Sequence, residues 1–393
     1  MSGRRIFIDC LSPCYRAALT DDGILTELIF QNKDDEVCVG DIYAGRIEKI
    51  LPSGIGFVNI GHKTPVFLQM NEKGENTQGA KQGQDILVQI TKEAFDNKRA
   101  VCTTRISRAG KYCVLVKDNG GIGISAKITD EDARERLRKL ADDKNKEGYS
   151  IVIRTGALNA SESEVKEEID SLAYEISKIE ERGKYTKAPA IIYKETDPIG
   201  KILRDMGSEE YSVVVNDSSI IENEYFKNAN VEVYTGNVPL FVNYGIERQI
   251  EKLFNKRVWL KSGGYIVIDE TEAMNVIDVN SGKSVNVKDS LKINIEAARE
   301  AARQIRLRNL NGMIIIDFIS GKSKEQNEIL SRVLKEEFLK DRVKTYIVGM
   351  TELGLMQITR EKHRKPLSRY IYHKCPLCGG AGYVKDNVYM DLT

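Results

Sequence analysis

The stretch that most constrains this chain runs from Gly264 to Ile319. It reads GYIVIDETEAMNVIDVNSGK, then a helix-forming segment, then GMIIIDFI. Two apolar runs, Met274–Val279 and Met313–Ile316, are predicted strands, and each carries an aspartate near its end, Asp278 and Asp317. Side chains alternate along a strand, so Asn280 shares the face of Asp278 while Val279 points the other way. Between the strands, Leu291, Ile295, Ala298, Ala302 and Ile305 recur at steps of four and three, the apolar stripe of an amphipathic helix. A lone aspartate at a strand end is commonly a turn former or a helix cap. Two on paired strands are harder to explain that way, because they leave costly charge at the rim of a buried apolar run. Oxygen ligands with free positions suit Mg²⁺, which keeps several waters and takes one or two carboxylates plus a phosphate. The pattern points to a divalent metal site and to phosphodiester chemistry.

The chain's 393 residues leave room for two to four domains, each with its own core. Hydrophobic and charged fractions of 41% and 30% are those of a globular protein. Net charge is only +1, so any nucleic-acid path must come from local patches. No apolar run approaches bilayer length, and the N-terminal MSGRRIFIDC lacks a signal-peptide core, so a cytoplasmic protein with no membrane partner is expected. The cysteines, seven and scattered, do not form a disulfide framework.

Residues 1–35 read as strands over Arg4–Asp9, Tyr15–Leu19 and Ile24–Phe30. Five short strands with Gly-rich loops follow, at Gly40–Ile47, Ile55–Ile60, Pro65–Met70, Asp85–Ile90 and Ala100–Ile106, as in an OB barrel. The run from Val39 to Met70 resembles the ribosomal-protein-S-one type of OB domain. Alternation places Val58, Ile60, Val66, Leu68 and Met70 on one side, and Phe57 and Phe67 with polar Asn59 and Gln69 on the other. There a base can stack on the two rings, although most strand phenylalanines are core residues. Lys98 is a candidate phosphate contact or simply a solvated lysine.

Farther on, Asp130–Lys146 is a charged helix with no strong apolar face, most simply a solvated one. Ser161 to Glu164 has the form of a capping box, opening a helix whose stripe is Val165, Ile169, Leu172, Ile176 and Ile179. Arg154 and Thr155 end an apolar strand; a guanidinium fork beside a hydroxyl suits a terminal phosphate, and an ordinary salt bridge is the other reading of Arg154. Pro189–Lys261 reads as mixed α/β, with helices at Ile199–Met206 and Ile246–Asn255 and strands at Tyr211–Asn216 and Asn230–Tyr234. Glu325–Lys340 is a predicted helix, and Thr345–Met350 and Leu355–Thr359 are predicted strands. The basic run Arg360 to Lys365, with Arg369, His373 and Lys374, is either a phosphate track or a soluble tail. Cys375-Pro-Leu-Cys378-Gly-Gly has the spacing of a zinc knuckle, and its glycines argue against the helix that a redox CxxC pair would open.

IDVNSGK, then IDFI, then CPLCGG, in this order, resemble the catalytic region of the bacterial ribonuclease E/G family, in its shorter, ribonuclease-G-like branch. The resemblance covers nearly the whole chain. It implies an α+β multidomain fold: a ribonuclease-H-like subdomain (1–35 plus 190–261) with an inserted OB-fold RNA-binding domain (36–108) and a 5′-sensor domain (109–189). A DNase-I-like catalytic subdomain (262–368) and a zinc-link segment (369–393) would follow. It further implies a Mg²⁺-dependent endoribonuclease acting on single-stranded RNA, in maturing ribosomal RNA precursors and decaying mRNA, with Asp278 and Asp317 on Mg²⁺ and Asn280 beside them. Arg154 and Thr155 would grip an RNA 5′-monophosphate, aided by the backbone at Gly110 and Val114. Cys375 and Cys378 would give half of a Zn²⁺ site shared between two subunits, with His363 and His373 as a less favoured completion within one chain. Two departures stand out: Ser320 replaces an aspartate that members often carry, and Lys344 replaces an arginine that some place near the sensor. The chain ends fifteen residues after Cys378, without the further small domain of longer members, so a zinc-linked homodimer is expected rather than a tetramer. A non-catalytic RNA-binding factor on the same scaffold is the alternative.

Overall fold

The computed structural model of the chain describes residues 3–10, 14–32, 37–70, 79–94, 98–118, 120–195, 211–222, 226, 230–282, 290–319, 323–362, 364–373, 375–378 and 382. The expected helix Ile199–Met206, and Ser320, His363 and Lys374, lie outside the described residues. The described residues form two compact units: Met1–Lys252 with Lys335–Thr345 and Glu361–Arg364, and Leu253–Leu334 with Tyr346–Arg360 and Lys365–Thr393.

In the first unit, Arg4–Asp9, Cys14–Asp21 and Ile24–Asn32 form an antiparallel meander. Ser212–Val215 pairs parallel to Arg4–Asp9, and Asn230–Val233 continues the sheet in the same sense. The first residues of the chain therefore share a sheet with residues some two hundred positions later. Buried Asp9 is neutralised by Arg16, whose Nη2 lies 2.6 Å from its carboxylate and whose Nη1 lies 2.8 Å from Glu247. Asn216 also donates to Asp9, at 2.8 Å. These carboxylates are committed to a largely buried ion-pair network.

The strands expected between residues 40 and 106 close into a small barrel-like sheet consistent with an OB-type domain. Around the barrel the order is Ile42–Leu51, Ile55–Asn59, Val66–Gln69, Val101–Thr103, Asp85–Lys92 and back to Ile42–Leu51. Closure removes the sheet edges. Its interior holds Tyr43, Ile47, Val58, Ile60, Val66, Leu68, Val88 and Ile90, and of these Val58, Ile60, Val66 and Leu68 are on the side that alternation set opposite Phe57 and Phe67, with Met70 packed against them. Each fully buried aliphatic side chain of this kind contributes roughly 1.5–3 kcal/mol. The last strand ends at Thr103, earlier than expected, and Ser107–Ala109 instead opens the next sheet.

That sheet runs Ile122–Ile124, Ser150–Ile153, Cys113–Val116, Ser107–Ala109. The capping box forms: Ser161 Oγ accepts from the Glu164 amide at 3.3 Å, and Glu164 accepts from the Ser161 amide at 2.8 Å. The stripe Val165, Ile169, Leu172, Ile176 and Ile179 is buried throughout. The charged helix, Glu131–Lys146 with Asp130 as its N-cap, corrects the sequence reading. It is not a wholly solvated element, because Leu137 and Ala141 are buried in the same core as Leu115, Ile151 and Ile176. Two apolar positions a turn apart are too few to show as periodicity, yet enough to seat a helix.

In the second unit a six-stranded sheet runs Arg257–Trp259, Tyr265–Glu270, Met274–Asn280, Gly312–Asp317, Leu355–Arg360, Thr345–Met350. One face buries Ile266, Ile268, Ile277, Val279, Ile314, Ile316, Met356 and Ile358. The helix Ser290–Leu307 connects the two parallel strands Met274–Asn280 and Gly312–Asp317. Its buried face differs from the predicted stripe: Ala298, Ala302 and Ile305 are buried as expected, but Leu291 and Ile295 are half-buried, and Ile293, Ala297 and Ala301 are fully buried instead. An alanine-lined face lets the helix lie close to the sheet, and rotates the contact towards the small residues. Among the described residues no helix is long and apolar enough to cross a membrane.

Candidate active site

Among the described residues the opposite face of the six-stranded sheet is left partly exposed, and Asp278, Asn280 and Asp317 stand on it. Strand burial alternates as the sequence predicts, with Val276, Asp278 and Asn280 outward and Ile277 and Val279 inward. Asp278 and Asp317 are direct register partners on neighbouring parallel strands. Neighbouring strands lie about 4.8 Å apart, so the two carboxylates rise side by side from one face. The Asn280 side-chain amide donates to Asp278 Oδ2 at 2.7 Å, which orients that carboxylate and leaves the Asn280 Oδ1 to accept.

Residues with no sequence signal of their own support the trio from behind. Buried Asn294 donates to the Ile319 carbonyl at 2.9 Å and accepts from the Ile319 amide at 3.1 Å, so it anchors the backbone just beyond Asp317 to the helix. Glu296 accepts from the Lys261 and Ser262 amides at 2.6 and 3.1 Å. Burial works to raise the Glu296 carboxyl, but hydrogen bonds from the Ser262 hydroxyl and these two amides outweigh it and hold the group below the usual carboxylate range. The loop so held brings Gly264 against the site strand, where an added Cβ would fall 2.8 Å from the Asn280 carbonyl oxygen. Only glycine permits that approach.

The predicted RNA-binding residues stand in the first unit. Phe57 and Phe67 are half-buried cross-strand partners on the outside of the barrel, their rings edge to face with centroids 6.0 Å apart. The Arg99 guanidinium lies 5.2 Å from the Phe57 ring centre, a contact the sequence reading missed, and Lys98 beside it is exposed. Arg154, Thr155, Gly110 and Val114 come together at one end of the second sheet. Arg154 Nη1 donates to the Gly110 carbonyl at 2.8 Å, and the Thr155 and Ser125 hydroxyls lie 3.3 Å apart. Val114 is the register partner of Val152, two residues before Arg154. Glu168, also unforeseen, accepts from three successive amides, Lys111, Tyr112 and Cys113, at 2.6, 2.7 and 2.9 Å. Its carboxylate fills the space next to Gly110, where a Cβ would fall 2.3 Å from Glu168 Cδ. Lys344 is exposed. Burial, and after it the Arg342 guanidinium, hold the Lys127 amine below the usual lysine range.

Near the C-terminus, Cys375 is exposed, Cys378 is half-buried, and the Gly382 amide donates to Cys378 Sγ at 3.4 Å. An amide aimed at the sulfur suits a thiolate ligand, and two thiolates are half of a tetrahedral set. Among the described residues no group of three or more His, Cys, Asp or Glu could hold a metal. The basic run loses one member as a phosphate contact: Arg360 is buried, donating to Asn309 Oδ1 at 2.7 Å, Asn311 Oδ1 at 3.1 Å and the Leu310 carbonyl at 3.2 Å.

A mixed α+β protein with a barrel-like sheet, and with two carboxylates and an amide on an open sheet face, has the parts of a phosphodiester-cleaving enzyme. The model of the ribonuclease E/G family matches residues 107–363, and the chain belongs to that family, which makes it an endoribonuclease. It is 33% identical to ribonuclease G of Escherichia coli (strain K12), over 94% of this chain and 82% of that protein. Identity to ribonuclease G of Haemophilus influenzae is also 33%, with the same coverage. Ribonuclease E of Escherichia coli (strain K12) is 32% identical over 96% of this chain, which spans 38% of that longer protein.

Proposed function

We propose that the chain is a Mg²⁺-dependent endoribonuclease that cuts single-stranded RNA and favours 5′-monophosphorylated ends, serving in rRNA maturation and mRNA decay in the cytoplasm. The observation that carries this reading is the register pairing of Asp278 with Asp317 on an open sheet face, with Asn280 bonded to the first, in a member of a ribonuclease family. The donor set fits the metal: two hard carboxylates on one exposed face leave room for water and a phosphate oxygen. Asp278 and Asp317 would hold Mg²⁺, which when bound supplies charge stabilisation at the phosphate and a water of lowered pKa. Asn280 keeps the Asp278 carboxylate in one orientation and would orient the scissile phosphate or a water on the metal. Phe57 and Phe67 stack bases, Lys98 contacts phosphate, and Arg154 and Thr155 take the terminal phosphate with the backbone at Gly110 and Val114. The subdomain identities, ribonuclease-H-like for 1–35 with 190–261 and DNase-I-like for 262–368, belong to the same reading. The decisive experiment is incubation of an unstructured 5′-monophosphorylated RNA with Mg²⁺ or with chelator. Internal cuts leaving 5′-phosphates, in Mg²⁺ only, are expected; cleavage that survives full chelation overturns the metal assignment.

Arg154→Ala is expected to flatten the preference for 5′-monophosphate over 5′-hydroxyl RNA while sparing cleavage of circular RNA. A charge-assisted contact of this kind is worth about 1.5–3 kcal/mol, enough to erase roughly a 10- to 100-fold end preference. Rates on matched substrates, beside melting temperature, check it. Equal loss on both substrates with a lower melting temperature would instead mean that the bond to the Gly110 carbonyl only supports the fold.

Cys375 and Cys378 are proposed to bind a structural Zn²⁺ shared between two copies, giving a homodimer. Cys375→Ser should release zinc and halve the mass in solution, as read by metal analysis and light scattering. One zinc per chain with unaltered mass would point to ligands within one subunit.

A further inference from the structure

The open face beside the carboxylates carries three side chains that neither the sequence reading nor the proposed function uses. Trp259 and Tyr265 are register partners, and Tyr265 is in turn the partner of Asn280. Register partners share a face, so Trp259, Tyr265 and Asn280 form one row across three strands, on the side where Asp278 stands. Trp259 is 64% exposed although it carries the largest apolar surface of any residue type. Its ring meets that of Tyr265 with centroids 5.2 Å apart at 60°. The Arg257 guanidinium lies 4.5 Å from the Tyr265 ring centre and 5.8 Å from that of Trp259.

We infer that Trp259, Tyr265 and Arg257 form a stacking platform that takes a base of single-stranded RNA next to the phosphate held at Asp278, Asn280 and Asp317. The inference rests on the endoribonuclease reading and adds a substrate subsite to it. Three physical points carry it. Two strand spacings of about 4.8 Å put Trp259 roughly 10 Å from Asn280, within reach of a nucleotide adjoining the scissile bond. The edge-to-face contact and the cation–π contacts preorganise the rings, so little rotamer freedom is left to lose when a base arrives. Aromatic rings on an open sheet face, with a guanidinium at their side, match a base with its neighbouring phosphate: the π-face stacks and the cation meets the anion. A stack of this kind tolerates any base, which suits an enzyme choosing unpaired strands more than sequence.

Trp259 is the only tryptophan in the chain, so its fluorescence reports this site alone. With RNA in excess and Mg²⁺ present, an unstructured oligoribonucleotide should quench that emission, and neither an abasic strand of equal length nor a duplex should do so. Trp259→Ala should raise KM on a short single-stranded substrate roughly 5- to 150-fold, the range expected for one stacked base, and change kcat much less. Trp259→Phe should recover most of the loss. An exposed side chain leaves the melting temperature near that of the wild type, which separates the effect from misfolding. Normal cleavage with no quench and an unchanged KM in Trp259→Ala would overturn the platform and leave the ribonuclease reading standing. Wild-type protein that neither cuts nor binds RNA would overturn both. Emission that depends on protein concentration and ignores RNA would mean that a second copy covers the rings, and would overturn the platform too.

Discussion

Asp317→Asn is expected to slow RNA cleavage in Mg²⁺ by about a thousandfold or more while leaving RNA affinity within a few-fold of wild type. The substitution removes one negative charge from the pair that would hold the metal, and keeps shape and volume. Metal-ion stabilisation of a phosphoryl transition state is worth several kcal/mol, and each 1.4 kcal/mol or so is a tenfold change in rate. Asp317 is exposed at the end of its strand, so the fold has little stake in its charge. Cleavage rate, RNA binding by fluorescence anisotropy, and melting temperature together decide the case. A variant that cuts at the wild-type rate would end the metal assignment. A protein that binds RNA but shows no Mg²⁺-dependent cleavage even as wild type would favour the binding-factor alternative.

The second large effect is expected from Phe57→Ala combined with Phe67→Ala. Base stacking on an aromatic ring is worth about 1–3 kcal/mol per base, so losing both rings should weaken binding of single-stranded RNA by roughly a hundredfold. The rings sit outside the barrel core of Val58, Val66 and Leu68, and are half-buried against each other and Arg99. Their removal forfeits one aromatic pair, on the order of 1 kcal/mol, and a modest drop in melting temperature is expected beside the large drop in affinity. If the barrel unfolds and affinity falls only with it, the rings are packing residues and the stacking role is wrong.

Much of this was legible in the residues because local order follows local rules. Alternation in Met274–Asn280 put Asp278 and Asn280 on one face, and alternation in Ile55–Asn59 and Val66–Gln69 turned Phe57 and Phe67 away from the core; the strands are paired and buried accordingly. The Ser161–Glu164 box and the stripe behind it were likewise complete within a few turns of helix. Errors arose where a neighbour distant in sequence decides. Leu291 and Ile295 belong to a good helical stripe, yet the alanine face of that helix lies nearer the sheet. Arg360 belongs to a basic run, yet carbonyl oxygens at residues 309–311 draw it inward.

What the sequence by itself determined, then, is many of the strands and helices, the inward and outward faces of the strands that carry Asp278, Phe57 and Phe67, and the candidate groups they bear. Tertiary structure decided which of those groups meet. The pairing of Asp278 with Asp317, the Glu168 carboxylate closing on the amides after Gly110, and the row of Trp259, Tyr265 and Asn280 all depend on strand order and register. Register is set by burying one face of a whole sheet at once, a balance of many distant contacts against chain entropy. No window of a dozen residues contains that balance, so periodicity can show which way Asp317 points but not what stands beside it.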